Sequence, residues 1–138
     1  MTITLERLDD AFHLRATNEN GNTVETDASP VIGGSNLAMR PMEMLLASLG
    51  SCSTIDVLHL LKKFRQPVKD IKVTINGERE KDKNPALFTD IHLVFTVYGD
   101  VDPEIAQKAV NMSLEKYCSV AKILEKTATL TWESKIAQ

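Results

Sequence analysis

Arg40-Pro41-Met42-Glu43-Met44-Leu45-Leu46-Ala47-Ser48-Leu49-Gly50-Ser51-Cys52, continued by Ser53-Thr54-Ile55-Asp56-Val57-Leu58-His59-Leu60-Leu61, is the stretch that organises this chain. Proline suits the first position of a helix, where its missing N–H would have no partner anyway. The spacing therefore predicts one long helix over about 41–65. Its apolar residues, among them Leu45, Leu49, Ile55, Val57, Leu58 and Leu61, fall on nearly all sides, the pattern of a central helix. The small residues Ala47, Ser48, Gly50, Ser51 and Ser53 would let another backbone approach closely. In 138 residues few elements are available to surround such a helix, so a second copy of the chain is expected to do so. The stretch is also about membrane length. Glu43, Ser48, Ser51, Ser53, Thr54, Asp56 and His59 suit a buried protein helix better than lipid.

Upstream of this helix, alternation takes over. Ile3 and Leu5 alternate with Thr2, Thr4 and Glu6, and Phe12, Leu14 and Ala16 with His13, Arg15 and Thr17. Asn20-Gly21 signals a hairpin, because a tight turn needs the positive φ these residues tolerate. With a third strand around 22–27, an N-terminal β-meander is expected. The loop from Ser29 to Met39 carries Gly33-Gly34, which lacks the strand-to-helix context of a phosphate cradle and reads as a flexible connection.

Downstream, Pro67 stops the helix, and Ile71, Val73 and Ile75 mark a strand. A second strand places Ile91, Leu93, Phe95 and Val97 toward the core. Asp102-Pro103-Glu104 opens a helix that runs to about Tyr117, because the aspartate can cap it and the glutamate suits its positive end. A further helical piece spans 119–126, and Ala128, Leu130 and Trp132 mark a last strand. Strands and helices are segregated rather than strictly alternating. The fold class is α+β, in a single domain over 1–138.

Composition narrows the function. At 43% apolar and 25% charged the chain is ordinary globular protein. Its net charge of −3 argues against a nucleic-acid partner, which needs a clustered cationic surface. Residues 1–61 hold only three cations, Arg7, Arg15 and Arg40, against eight acids. Any positive charge from that half must come from an arginine. Met1 to Asp10 is acidic and lacks a basic start followed by an apolar run, so no secretory signal and no membrane association are expected. The expected location is cytoplasmic, where two cysteines do not normally form a permanent structural bridge.

Those two cysteines are the residues that carry chemistry. Cys52 lies mid-helix with Asp56 four and His59 seven residues on, all on one face. A thiol near an imidazole can be activated, because the thiolate is the nucleophile and a cation stabilises it. By spacing alone, a small buried cysteine with Asp56 and His59 at the helix surface explains the pattern better. Cys118 sits in Glu115-Lys116-Tyr117-Cys118-Ser119-Val120, at a break between two helical pieces. Two cysteines and the scattered His13, His59 and His92 show none of the paired short spacings of zinc sites, so no metal is expected. His13 and His92 read as partly exposed strand residues.

The segment from Arg40 to Cys52, and Glu115 to Val120 around the second cysteine, resemble the signatures of the OsmC/Ohr family. In wording both resemble its YhfA-like branch, and the order of strands and helices fits across essentially the whole chain. The resemblance implies an OsmC-like fold in an intertwined homodimer, with the long helices at its centre and two sites at the subunit interface. It implies thiol-dependent reduction of organic hydroperoxides. Cys52 would be the peroxidatic cysteine, attacking the O–O bond and becoming a sulfenic acid. Cys118 would be the resolving cysteine that condenses with it. A dithiol reductant would then restore the pair. No metal or organic cofactor is implied.

The resemblance departs at the activating groups. In the family's peroxidases an arginine activates the cysteine and is held by a glutamate that directly follows the proline, ten residues before the cysteine. This chain has Met42 there. Glu43 comes one residue later and, on a continuous helix, points about half a turn away from Cys52. Arg40 is the nearest arginine in sequence. A thiol in apolar surroundings with no cation beside it is held protonated. The alternative expectation is therefore a non-peroxidatic dimer that senses redox state or binds an apolar small molecule.

Overall fold

The strands and helices expected from the sequence are all present in the computed structural model, which describes residues 1–138. They are β1 (Ile3–Arg7), β2 (Leu14–Asn18), β3 (Thr23–Thr26), α1 (Pro41–Lys63), β4 (Val68–Arg79), β5 (Phe88–Gly99), α2 (Pro103–Met112), α3 (Ser119–Leu124) and β6 (Thr129–Ala137). The architecture is a mixed α+β one with two sheets and three α-helices. The chain falls into two units, Met1–Leu45 and Leu46–Gln138, and α1 begins in the first and runs on through the second.

The first unit is an antiparallel meander in the order β1-β2-β3. Ile3 pairs with Asn18 and Arg7 with Leu14, and on the other side Leu14 pairs with Thr26. The β2-β3 turn is built by Asn18, whose side-chain oxygen accepts from the N–H groups of Asn20 and Asn22, while Gly21 supplies a φ of +84°. Phe12 falls outside β2. The Asp9 carboxylate accepts from the N–H groups of Ala11 and His13, and this turn delays the strand to Leu14.

The expected flexible connection after β3 is instead a tied loop. Asp27 is buried, and its carboxylate accepts from the N–H of Ala28 at 2.7 Å and of Leu37 at 3.0 Å, drawing the two ends together. The Leu37 N–H is the main influence holding that carboxyl below its ordinary value, against the opposing effect of burial. Gly34 passes so close to Ala28 that an added Cβ would lie 2.1 Å from its carbonyl oxygen. Close approach is the reason for glycine there.

The second unit has its own core. β4 and β5 pair antiparallel and β6 lies parallel to β5, Asp90 against Thr129 through Tyr98 against Ala137. A parallel neighbour needs a long crossover, which α2 and α3 supply. Ile91, Leu93, Phe95 and Val97 are buried, as the alternation required. Asp102 caps α2 by accepting from the Glu104 N–H at 2.8 Å. Asn111 of α2 accepts from the Trp132 indole N–H of β6 at 2.8 Å, and Gln107 accepts from the N–H and hydroxyl of Ser134. Pairing with β5 carries β6 beyond Trp132 to Ala137.

α1 ends two residues short of expectation. Arg65 takes a left-handed φ of +59°, and the Gln66 N–H donates to Leu61 carbonyl, closing the helix ahead of Pro67. The helix is not buried all round in one chain. Leu49, Gly50, Ser53, Val57, Leu60 and Leu61 form its buried face, whereas Leu45, Ile55 and Leu58 stand exposed. Gly50 lets it lie close to β4, since an added Cβ would meet Ile75 Cδ1 at 2.3 Å. By length and composition α1 could cross a membrane, but a third of its most apolar window is buried inside the fold.

A candidate thiol redox site

Cys52 and Asp56 stand one turn apart on α1, within the second unit, and both are half-buried. Cys118 reaches them from the far end of the crossover. After Met112 the backbone widens into a π-helical turn, Ser113–Tyr117, closed by the Cys118 N–H donating to the Ser113 carbonyl at 2.7 Å. Such turns are frequent at functional sites because they re-aim side chains. Cys118 then turns extended and becomes the cap of α3. Its sulfur accepts from the Ala121 N–H at 3.4 Å.

The outcome is a cluster that spacing could not show. The sulfurs of Cys52 and Cys118 and a carboxylate oxygen of Asp56 all lie within 4.8 Å of one another. Both thiols are free, Cys118 is fully buried, and a disulfide would need the sulfurs to close to about 2.05 Å. Ser113, also fully buried, ties the cluster together. Its hydroxyl is 2.9 Å from Asp56 Oδ2, to which it donates, and 3.3 Å from the Ser53 carbonyl. Ser113 had no signal in the sequence, because it lies 57 positions from Asp56 and is an unremarkable helical serine until the chain is folded.

Electrostatics bear on the buried thiol. Burial pushes the Cys118 thiol up to about 12; the Ala121 N–H partly offsets this, while the hydrogen bond and charge of Cys52 and the charge of Asp56 add to it. The charged side chain that the geometry places within 4.8 Å of both sulfurs is thus an acid, Asp56. As a cation site the trio fits poorly. It offers three donors, two thiols and one carboxylate, one short of a closed tetrahedral site. As a dithiol pair it fits well.

The other residues singled out by sequence have surroundings of their own. The Glu43 carboxylate accepts from the Arg40 N–H at 2.9 Å, the return half of a capping arrangement at the start of α1. The exposed Arg40 guanidinium reaches Asn36 at 3.5 Å. His59 is exposed and is not part of the cluster. His92 bonds Thr131 across the sheet, and His13 lies beside Glu25 in the N-terminal meander.

Comparisons with known proteins place the chain in a family. Residues 33–133 match the family model of OsmC-like proteins. Protein YhfA of Escherichia coli strain K12 is 47% identical over 95 residues, covering 68% of this chain and 70% of that one. A crystal structure of a hypothetical protein from Aquifex aeolicus VF5 is 33% identical, with a TM-score of 0.81 over 99% of this chain and 97% of that one. The organic hydroperoxide resistance protein OhrB of Bacillus subtilis shares the fold at 21% identity, with a TM-score of 0.69 over 98% of each chain. With two cysteine-centred motifs, the matching fold and this sequence identity together, the chain belongs to the OsmC-like protein family.

Proposed function

We propose that this protein reduces organic hydroperoxides with a redox pair in which Cys52 is peroxidatic and Cys118 resolving. The observation that carries the reading is the approach of both sulfurs and the Asp56 carboxylate to within 4.8 Å, from elements far apart in the chain. Cys52 is the half-exposed thiol and Cys118 the fully buried one, which suits attack by the first on a peroxide and resolution by the second. The O–O bond breaks, the alcohol leaves, and Cys52 becomes a sulfenic acid. Cys118 then displaces its hydroxyl as water to form the disulfide, and a dithiol reductant reopens it. In a reducing cytoplasm such a pair would be kept ready.

The reading includes a homodimer. Its support is the exposed apolar side of α1, with Ile55 64% exposed, beside a groove of about 380 Å³ lined by Ala47, Gly50, Thr54, Ile71 and Val73 among others. Arg40, from either copy, is the arginine proposed for activation, with Glu43 as its partner.

A second reading, a redox sensor or apolar-ligand binder of the same fold, is favoured by one observation. The charged side chain within 4.8 Å of both sulfurs is an acid, Asp56, and Met42 stands at the family's glutamate position. One assay separates the two. Reduced protein with cumene hydroperoxide and a dithiol should consume peroxide catalytically, and Cys52→Ser should lose at least about 100-fold of the rate. Unchanged turnover in that variant refutes the first reading. No turnover in the parent, with slow stoichiometric disulfide formation, establishes the second.

A further inference from the structure

Asp56 is the member of the cluster that neither cysteine role explains. A carboxylate close to two sulfurs opposes thiolate formation by charge alone, and its charge does raise the Cys118 thiol. Yet the fold holds it there deliberately. The buried Ser113 hydroxyl donates to Asp56 Oδ2, and the Ser113 carbonyl accepts from the Cys118 N–H. One residue therefore registers the acid on α1 against the backbone of the buried thiol. The carboxylate is half-buried and has its second oxygen unassigned to any protein donor.

We propose that Asp56 is the proton acceptor that frees the Cys118 sulfur for disulfide formation and returns the proton to the leaving hydroxide. The inference rests on the thiol-pair reading above and adds a third working group to it. The resolving thiol reaches the reaction protonated, since burial holds its proton well past neutral pH. As its sulfur lone pair attacks Cys52 sulfur, the S–H proton passes to the Asp56 carboxylate, directly or across one water. The Cys52 S–O bond breaks and the S–S bond forms. The hydroxide that leaves takes the proton from Asp56, so water departs and the carboxylate is restored. Cys118 sulfur is oxidised and the sulfenic sulfur reduced by the same electron pair. No further oxidant is required.

The test follows the second step separately from the first. Reduced parent, Asp56→Asn and Asp56→Glu are mixed with one equivalent of cumene hydroperoxide, and disulfide formation is timed by quenched alkylation and mass. A parallel series uses diamide, which forms an adduct on Cys52 that Cys118 must also displace. Asparagine can still accept from Ser113 through its side-chain oxygen, so this bond is kept. Asp56→Asn should slow disulfide formation about 100-fold or more while Cys52 oxidation changes only a few-fold. Its rate should also rise about tenfold per pH unit, as expected when hydroxide must remove the proton. Asp56→Glu should recover most of the loss. A parent-like second step in Asp56→Asn, or equal losses in both variants with the parent's pH profile, overturns the proposal. If the parent ignores the hydroperoxide but the diamide series shows the Asp56 dependence, the peroxidase reading fails and this one stands. Efficient peroxide turnover with no Asp56 dependence is the reverse.

Discussion

Each of the two units is organised by different physics. In Leu46–Gln138 a row on β5, Ile91, Leu93, Phe95 and Val97, is buried, as are Leu49, Val57 and Leu61 of α1 and Ala106, Ala109 and Val110 of α2. In Met1–Leu45 every position of β1 is exposed, with Ile3 and Leu5 more than half accessible. There, turn chemistry does the organising: the side chains of Asp9, Asn18 and Asp27 each accept at least two backbone N–H groups. The thiol cluster lies wholly in the unit with the core. That is where two sulfurs and a carboxylate from separate elements can be kept in register, because close-packed surroundings allow them few alternatives.

Substitutions should expose this contrast. The largest effect belongs to the core. Phe95→Ala should cost about 3–5 kcal/mol in denaturant unfolding, because it removes a fully buried ring and leaves a cavity. A loss below about 1 kcal/mol would mean that the second unit is not organised around this row.

A smaller loss, confined to the first unit, is expected for Asp27→Asn. Here pH gives a sharper measurement than temperature. Since the folded carboxyl sits below its ordinary value of 3.8, the ionised form favours the fold. Its contribution is complete above that value and disappears as pH falls through the lower folded one. Amide exchange at Leu37 should therefore accelerate on acidification in the parent, and Asp27→Asn should flatten that acid dependence. An unchanged acid profile in the variant would remove Asp27 from its organising role.

The smallest effect tests what covers the meander. Leu5→Ser should change the stability of a dilute single chain by no more than about 0.5 kcal/mol, since the side chain is already exposed. If sedimentation shows a dimer in the parent and dissociation in this variant, a second copy covers the sheet and the apparent weakness of the first unit belongs only to the isolated chain.

Much of this was legible in the residues themselves. Pro41 and the apolar run behind it define α1, the alternation through Val97 defines the core strand, and Asp102-Pro103 starts α2. Such features are local: they depend on capping, turn geometry and periodicity within a few residues. The same locality explains the misses. Phe12 has a strand's alternation but follows the Asp9 turn, and the Gly33-Gly34 loop looked free because its tether, Asp27 to Leu37, is a non-local bond. Helical periodicity put Asp56 on the face of Cys52. It could not say that the buried Cys118 would arrive there, or that Ser113 would hold the carboxylate. The sequence by itself determined the elements and the two thiols worth attention. Only the tertiary structure decided that those thiols share a site with an acid, because burial and a parallel crossover, not spacing, bring Cys118 back to α1 and keep its proton on.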